Sequence, residues 1–212
     1  MPTHKLFSSP IHIKDFEGVE LDEIQQSITA AIERLEPKPD RARHHLDTTF
    51  DFDGVNDIRR SNLEPLAWGI WAAMKEYFHE LVLTPINLEI GESWFNFYKD
   101  GDFMYDHEHP SGVVSGVYYY AMPENSGGDI WFRSPNPLMH HRVWPQTGDT
   151  DFQQYKVEPK VGRLLLFPSW LTHSVMPVTG DEQKISISFN LTPPPIPMAG
   201  PNLTQLDPKD IY

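Results

Sequence analysis

The chain has 212 residues, enough for one domain with a substantial core. Lysine and arginine number 17 against 30 aspartates and glutamates, a formal charge of −13, which argues against a phosphate-binding surface and so against nucleic acid as a partner. Cysteine is absent, excluding disulfides and thiolate metal sites, so any metal must be held by imidazole, carboxylate or water, and a reducing cytoplasm is the expected compartment.

The opening "MPTHKLFSSPIHIKD" carries no long apolar run, and nothing downstream approaches the roughly 18–20 apolar residues of a membrane span, so a soluble chain is expected. In "ELDEIQQSITAAIERLEPKP", Leu21, Ile24, Ile28, Ile32 and Leu35 recur at spacings of three and four, which predicts an amphipathic helix stopped by Pro37 and Pro39. A second helix is predicted from "SNLEPLAWGIWAAMKEYFHEL". Ser61 stands three residues before Glu64 in a capping-box pattern, Pro65 lies in the first turn, and Leu66, Ile70, Met74, Tyr77 and Leu81 form the buried stripe.

After about residue 85 the texture changes to short runs of Val, Ile, Tyr, Phe and Trp broken by Gly, Pro and Asn. These predict strands at Asn87–Tyr98, Met104–His109, Ser115–Ala121, Asp129–Arg133, Gln154–Val157, Arg163–Phe167, Thr172–Val175 and Lys184–Leu191. Closely spaced short strands point to a mainly β jelly roll. The expected layout is one domain over 1–212: an N-terminal helical brace (1–85), a β core (86–192) and a Pro-rich tail (193–212). The aperiodic stretch 134–153 has the length of a lid or binding loop.

Chemistry is carried by three short segments. In "DHEHP", His107 and His109 share one strand face, while Asp106 and Glu108 point the other way. In "GRLLLFPSWLTHSV", a second histidine segment, His173 sits inside an apolar stretch. In "KISISFN", Lys184, Ser186, Ser188 and Asn190 share one face and Ile185, Ile187 and Phe189 the other. A lysine facing the inside of a small barrel requires an anion, either a protein carboxylate or a bound acid.

Together, "HEHPSGVVSGVYYY", "GRLLLFPSWLTHSV" and "KISISFN" resemble the Fe(II)/2-oxoglutarate-dependent oxygenases, in particular a small family that also occurs in phages; the match covers roughly residues 88–192. The resemblance implies a double-stranded β-helix of the cupin-like jelly-roll kind, with Fe(II) and 2-oxoglutarate as cofactors. His107, six positions after Gly101, falls where the first iron ligand lies in prolyl-hydroxylase-like members, and His173 where the distal histidine lies. Lys184 and Ser186 resemble the Arg-x-Ser pair that holds the far carboxylate of 2-oxoglutarate, with a point charge in place of a bidentate fork. Asn96 and Tyr98 are candidate hydrogen-bonding partners of the cosubstrate.

The pattern departs from most of the superfamily at His109, where an aspartate or glutamate is usual. Three arrangements are open: three histidines on iron, two histidines and an extra water, or a bulge that swings Asp106 or Glu108 inward. Strand parity favours three histidines.

The resemblance implies a dioxygenase, an oxidoreductase that hydroxylates a small-molecule or peptidyl substrate with release of succinate and CO2. Two rival readings are a three-histidine cupin-type dioxygenase that does not use 2-oxoglutarate and a non-catalytic metal-binding jelly-roll module. Tyr118, Tyr120, Trp131, Trp170 and Arg133 are weaker pocket candidates, and His140 and His141 are expected to be solvated. Substrate identity and oligomeric state leave no mark in the sequence.

Overall fold

The computed structural model describes residues 9–41, 44–51, 54–81, 86–135 and 154–194. The elements are β1 (His12–Asp15), α1 (Gly18–Ile32), β2 (Lys38–Asp40), β3 (His44–Thr48), α2 (Asp57–Arg60), α3 (Glu64–Glu80), β4 (Glu89–Tyr98) and β5 (Phe103–His107). They continue as β6 (Val114–Ala121), β7 (Ile130–Arg133), β8 (Gln154–Val157), β9 (Arg163–Pro168), β10 (His173–Val175) and β11 (Lys184–Thr192). Each strand expected from residue 87 onward is present, its ends within about two residues, the usual uncertainty of boundaries.

The strands pair antiparallel in the order β1-β9-β6-β11-β4-β3-β5-β10-β7-β8, with β2 beside β3. Strand β3 bonds β4 on one side and β5 on the other, and so turns the corner between the layers β1-β9-β6-β11-β4 and β5-β10-β7-β8. The result is the expected mainly β jelly roll.

Strand β11 organises the larger layer, pairing with β4 from Lys184 opposite Tyr98 to Thr192 opposite Glu89 and with β6 on its other side. Its alternation decides what each face meets. Ile185, Ile187 and Phe189 join Phe95, Phe97, Leu164 and Leu166 under the helices, where Ile24 and Ile28 of α1 and Leu66, Ile70 and Ala73 of α3 complete one buried cluster. Burial of each such side chain contributes about 1.5–3 kcal/mol. The opposite face looks between the layers, where Val117, Tyr119, Phe132, Leu165 and Phe167 pack together.

Gly116 of β6 lies opposite Phe189 of β11 and Leu166 of β9. A Cβ there would run into the Phe189 ring and lie 2.6 Å from the Leu165 carbonyl oxygen, which is backbone and cannot swing aside. Gly116→Ala is therefore expected to lower stability by about 1–3 kcal/mol. Urea unfolding checks this; an unchanged midpoint would mean that the layer accommodates the methyl group freely.

Two expectations for the N-terminal third need correction. The segment before residue 86 is more than a helical brace: it also supplies β1, β2 and β3. β1 extends the sheet along β9, and Asp15 is tied there by Arg163 and Lys160, which hold its carboxyl down at about 2. Nor is Ser61 the cap of α3. Asn56 caps the short α2 by accepting the Arg59 N–H, Ser61 closes that helix on the Asp57 carbonyl, and α3 then starts from Leu63 without a side-chain cap. The local capping pattern lost to an earlier turn that consumed the serine.

Residues 136–153 of the expected lid, with His140 and His141, and residues 195–212 of the Pro-rich tail lie outside the described residues. Among the described residues, no helix is long and apolar enough to cross a membrane.

Candidate metal centre

Three separate pieces of chain bring the histidines together. Strand β5 ends on His107, and the antiparallel partner β10 sets His173 opposite it. His109 lies beyond the end of β5 rather than on it, which corrects the expected strand boundary. Its backbone N–H donates to the Ser169 carbonyl at 2.9 Å, and its ring lies 5.8 Å from that of Trp94. The ring centroids of His107 and His173 are 4.3 Å apart, those of His107 and His109 5.1 Å, and those of His109 and His173 5.2 Å. One ligand nitrogen from each lies within 4.8 Å of the others.

The donor set fits a first-row divalent metal. His107 Nδ1 lies 2.7 Å from the Tyr105 carbonyl oxygen and His173 Nδ1 2.9 Å from that of Leu171. A carbonyl can only accept, so each ring is fixed with its proton on Nδ1, leaving the Nε2 lone pair for the metal. Burial holds all three imidazoles below the usual histidine range, His109 at about 3, with mutual repulsion adding to the effect on His109 and His173. Neutral imidazole is the form that ligates.

The neighbouring carboxylates are engaged elsewhere, in line with strand parity. Asp106 pairs with Arg133 at 3.2 Å, and Glu108 accepts the Thr172 hydroxyl at 2.6 Å. Arg133 thus serves the outer surface of the smaller layer rather than the pocket floor.

Beyond the histidines, a small inner chamber runs between the layers to Lys184, lined also by Tyr98, Tyr119, Ser186 and Ser188. Lys184 is only 1% exposed. Its Nζ donates to the Gly128 carbonyl at 2.6 Å and stands 4.9 Å from the Tyr98 ring centroid and 5.6 Å from that of Tyr119. No carboxylate of the described residues lies within ion-pair distance of it. Burial pulls its pKa down to about 7, and the field of Asp129 only partly opposes this. Gly128 has φ +70°, and a Cβ there would strike the Lys184 ammonium, so glycine is needed at this point.

Asn96 and Tyr98 lie on the same face of β4, opposite Ser186 and Lys184. Asn96 donates to the Ser188 hydroxyl at 3.0 Å and accepts from Thr48 at 3.2 Å; the Tyr98 hydroxyl contacts Met104 Sδ at 3.3 Å. The chamber measures about 30 Å³, so a five-carbon diacid enters only if the side chains around Lys184 part. Outward from the histidines a wider cleft of about 530 Å³ opens between β3, β4 and β5.

Among the weaker candidates, Tyr118 and Tyr120 face the helices, Tyr118 within the helix-side cluster and Tyr120 with its hydroxyl 2.8 Å from that of Thr29. Tyr119 between them faces the chamber, because in "VYYYA" nothing local announces which parity points inward. Trp131 alternates with the interior Ile130 and Phe132 and so faces outward, and Trp170 is exposed. Sequence reading missed Trp94, Met104, Thr48 and His44, whose ring lies 5.1 Å from that of His107. The alternation His44, Leu46, Thr48 is too short and polar to mark β3 on its own.

Comparison with known proteins adds the following. Residues 92–190 match the profile of a family described as "Putative 2OG-Fe(II) oxygenase". No curated protein sequence matches. Among solved structures, a Pseudomonas putida prolyl-4-hydroxylase superposes with TM-score 0.59 at 17% identity, over 90% of this chain and 96% of that one. A Trichoplax adhaerens prolyl hydroxylase, solved with a hypoxia inducible factor oxygen degradation domain peptide fragment, gives TM-score 0.59 at 15% identity over 86% and 83%. HygX from Streptomyces hygroscopicus, solved with nickel, 2-oxoglutarate and hygromycin B, gives TM-score 0.55 at 14% identity over 87% and 83%. At these identities the structures speak for the fold.

Proposed function

We propose that this chain, matched over residues 92–190 by the 2OG-Fe(II) oxygenase family, is such an oxygenase, that His107, His109 and His173 hold its iron and that Lys184 anchors the cosubstrate. The observation that carries the assignment is the Lys184 ammonium, buried in the chamber that the histidines line from the opposite layer, with a carbonyl and two aromatic rings around it and no described carboxylate beside it. A buried cation with an incomplete set of partners is stabilised by a bound acid. A cupin-type dioxygenase without 2-oxoglutarate and a purely structural metal module leave that lysine unexplained.

When bound, iron and 2-oxoglutarate supply the oxidising chemistry, in which O2 and 2-oxoglutarate become succinate and CO2 while one oxygen atom passes to the substrate. The chain's own residues do the rest. Lys184 binds the carboxylate of the cosubstrate remote from the metal, and Ser186, next on the inward face of β11, donates a second hydrogen bond to it. Asn96, locked between Thr48 and Ser188, has a remaining amide N–H with which to orient the cosubstrate, and the Tyr98 hydroxyl beside Ser186 fixes the chamber's polar end. Trp94, Tyr119 and Phe167 exclude water from the chamber. The backbone carbonyls of Tyr105 and Leu171 keep the ring protons of His107 and His173 on Nδ1.

The substrate is a small molecule or a peptidyl group rather than nucleic acid, in keeping with the formal charge of −13, and the lack of cysteine supports a cytoplasmic setting. The direct test is succinate formation in air by the Fe(II)-loaded protein supplied with 2-oxoglutarate. Succinate should appear and should stop when a chelator removes the metal. If none appears in the presence of Fe(II), O2 and a reductant, the cupin-type or binding-module reading takes its place.

A further inference from the structure

The inward face of β4 presents Glu92, Trp94, Asn96 and Tyr98 in succession, opposite Asn190, Ser188, Ser186 and Lys184 of β11. At about 3.4 Å per residue, Glu92 and Tyr98 are separated by about 20 Å along the strand. The site is thus polarised: a buried cation stands at one end, a carboxylate at the other, and the histidines between them beside Trp94.

The outer cleft has the opposite sign to the chamber. Its lining includes Asp40, Glu92, Asp106 and Glu108, and no lysine or arginine among the described residues. Asp106 is already paired with Arg133, and Glu108 accepts a hydroxyl. Glu92 differs from Asp106 in having only neutral hydrogen-bond donors, and from Glu108 in its place on the inward face of β4, two residues from Trp94. Its Oε2 accepts from the Asn190 amide at 2.9 Å and the Ser111 hydroxyl at 3.2 Å, neutral donors that orient the carboxylate without cancelling its charge. Asn190 is itself buried and accepts the Ser115 hydroxyl at 2.8 Å, so the support under Glu92 is fixed. Next along the face, Trp94 packs against Phe50 at a centroid distance of 5.0 Å, giving the cleft an aromatic wall beside the carboxylate. An oriented carboxylate with an aromatic wall, in a cleft whose described lining holds no lysine or arginine, selects an organic cation.

We propose that the substrate carries an amine or guanidinium group, which Glu92 receives at the mouth of the cleft while Trp94 packs against the adjoining alkyl part. This rests on the oxygenase reading and names the substrate class for that same site. The 2-oxoglutarate dianion and the cationic substrate are then sorted to opposite ends by charge. Neither competes for the other's place.

The test uses the full chain loaded anaerobically with Fe(II) and 2-oxoglutarate, titrated calorimetrically with four probes: agmatine, N-acetyl-lysine amide, its neutral isostere N-acetyl-norleucine amide, and the tripeptide N-acetyl-Gly-Lys-Gly amide. The cations should bind at least about tenfold more tightly than the isostere and weaken as salt rises from 0.05 to 0.5 M, since screening acts on the half-exposed carboxylate. Glu92→Gln, which keeps the shape, should abolish that preference while leaving 2-oxoglutarate affinity unchanged. Tighter binding of the tripeptide than of the free amines marks a peptidyl source, and the reverse order a small molecule. Equal binding of cation and isostere, or a preference that survives Glu92→Gln, overturns the proposal. Failure of 2-oxoglutarate itself to bind the wild-type protein overturns the parent reading and is visible before any probe is added.

Discussion

Replacing His173 by alanine is expected to weaken Fe(II) binding by at least about 100-fold, since even the loss of an outer hydrogen-bonding partner of a ligand costs 10–100-fold. His173 is the most buried of the three rings and is packed between Phe132 and Phe167 at centroid distances of 5.9 and 4.7 Å. Truncation therefore also opens a cavity, costing about 1–3 kcal/mol of stability. Anaerobic metal titration should be read beside an unfolding curve of the metal-free protein, so that a lost ligand is told apart from a lost fold. Asp106→Asn is the matched control. Because Asp106 turns outward to Arg133, its loss should leave Fe(II) affinity unchanged. A large drop in Asp106→Asn would instead mean that the carboxylate swings inward to the metal, with His109 displaced.

The second large effect concerns Lys184 and pH. In the empty chamber burial holds its pKa at about 7, while the bound dianion requires the charged form. The groups facing it are the Gly128 carbonyl, the Tyr98 and Tyr119 rings, both phenols pushed up by burial, and the more distant Asp129. Between pH 7 and the ordinary lysine range the unfolded chain holds a proton that the folded, ligand-free chain has given up. This residue's contribution to the stability of the ligand-free protein therefore rises with pH across that window. For 2-oxoglutarate the sign is reversed. Binding takes up a proton above pH 7, so the dissociation constant should be flat below pH 7 and about tenfold weaker at pH 8 than at pH 6. Lys184→Arg should flatten the profile, because guanidinium stays protonated, and Lys184→Ala should weaken binding by about 2–5 kcal/mol at pH 6.5 while iron stays in place. A flat wild-type profile, or unchanged affinity in Lys184→Ala, would mean that the anion anchor lies elsewhere.

The strands from residue 87 onward were legible because each is a short β-branched or aromatic run bounded by Gly, Pro or Asn. Strand β11 was legible in more detail, since alternating Lys, Ser, Ser, Asn with Ile, Ile, Phe, Leu states which face is buried under helices and which looks into the site. Strands β1 to β3 were not, because "HIKD", "KPD" and "HHLDT" are short and polar and become strands only through distant partners. His12 pairs with Leu166, and Thr48 with Asn96. With β3 went His44 and Thr48, which close one side of the site. Strand parity put His109 on the side of His107, and the ring does lie beside those of His107 and His173 although the strand stops two residues short of it. What holds the ring in place is the hydrogen bond from its own backbone to Ser169, a contact across 60 positions that no local pattern encodes.

The most direct measurement is an anaerobic titration of the Fe(II)-loaded protein with 2-oxoglutarate, followed by visible absorption and repeated on His173→Ala and Lys184→Ala. The expected result is a weak metal-to-ligand charge-transfer band that saturates near one equivalent in the wild type. It should be missing in His173→Ala for want of metal, and should be recovered in Lys184→Ala only at concentrations at least about 30-fold higher. A wild-type protein that binds Fe(II) and gives no band at any 2-oxoglutarate concentration would contradict the assignment of the chamber and its lysine to the cosubstrate.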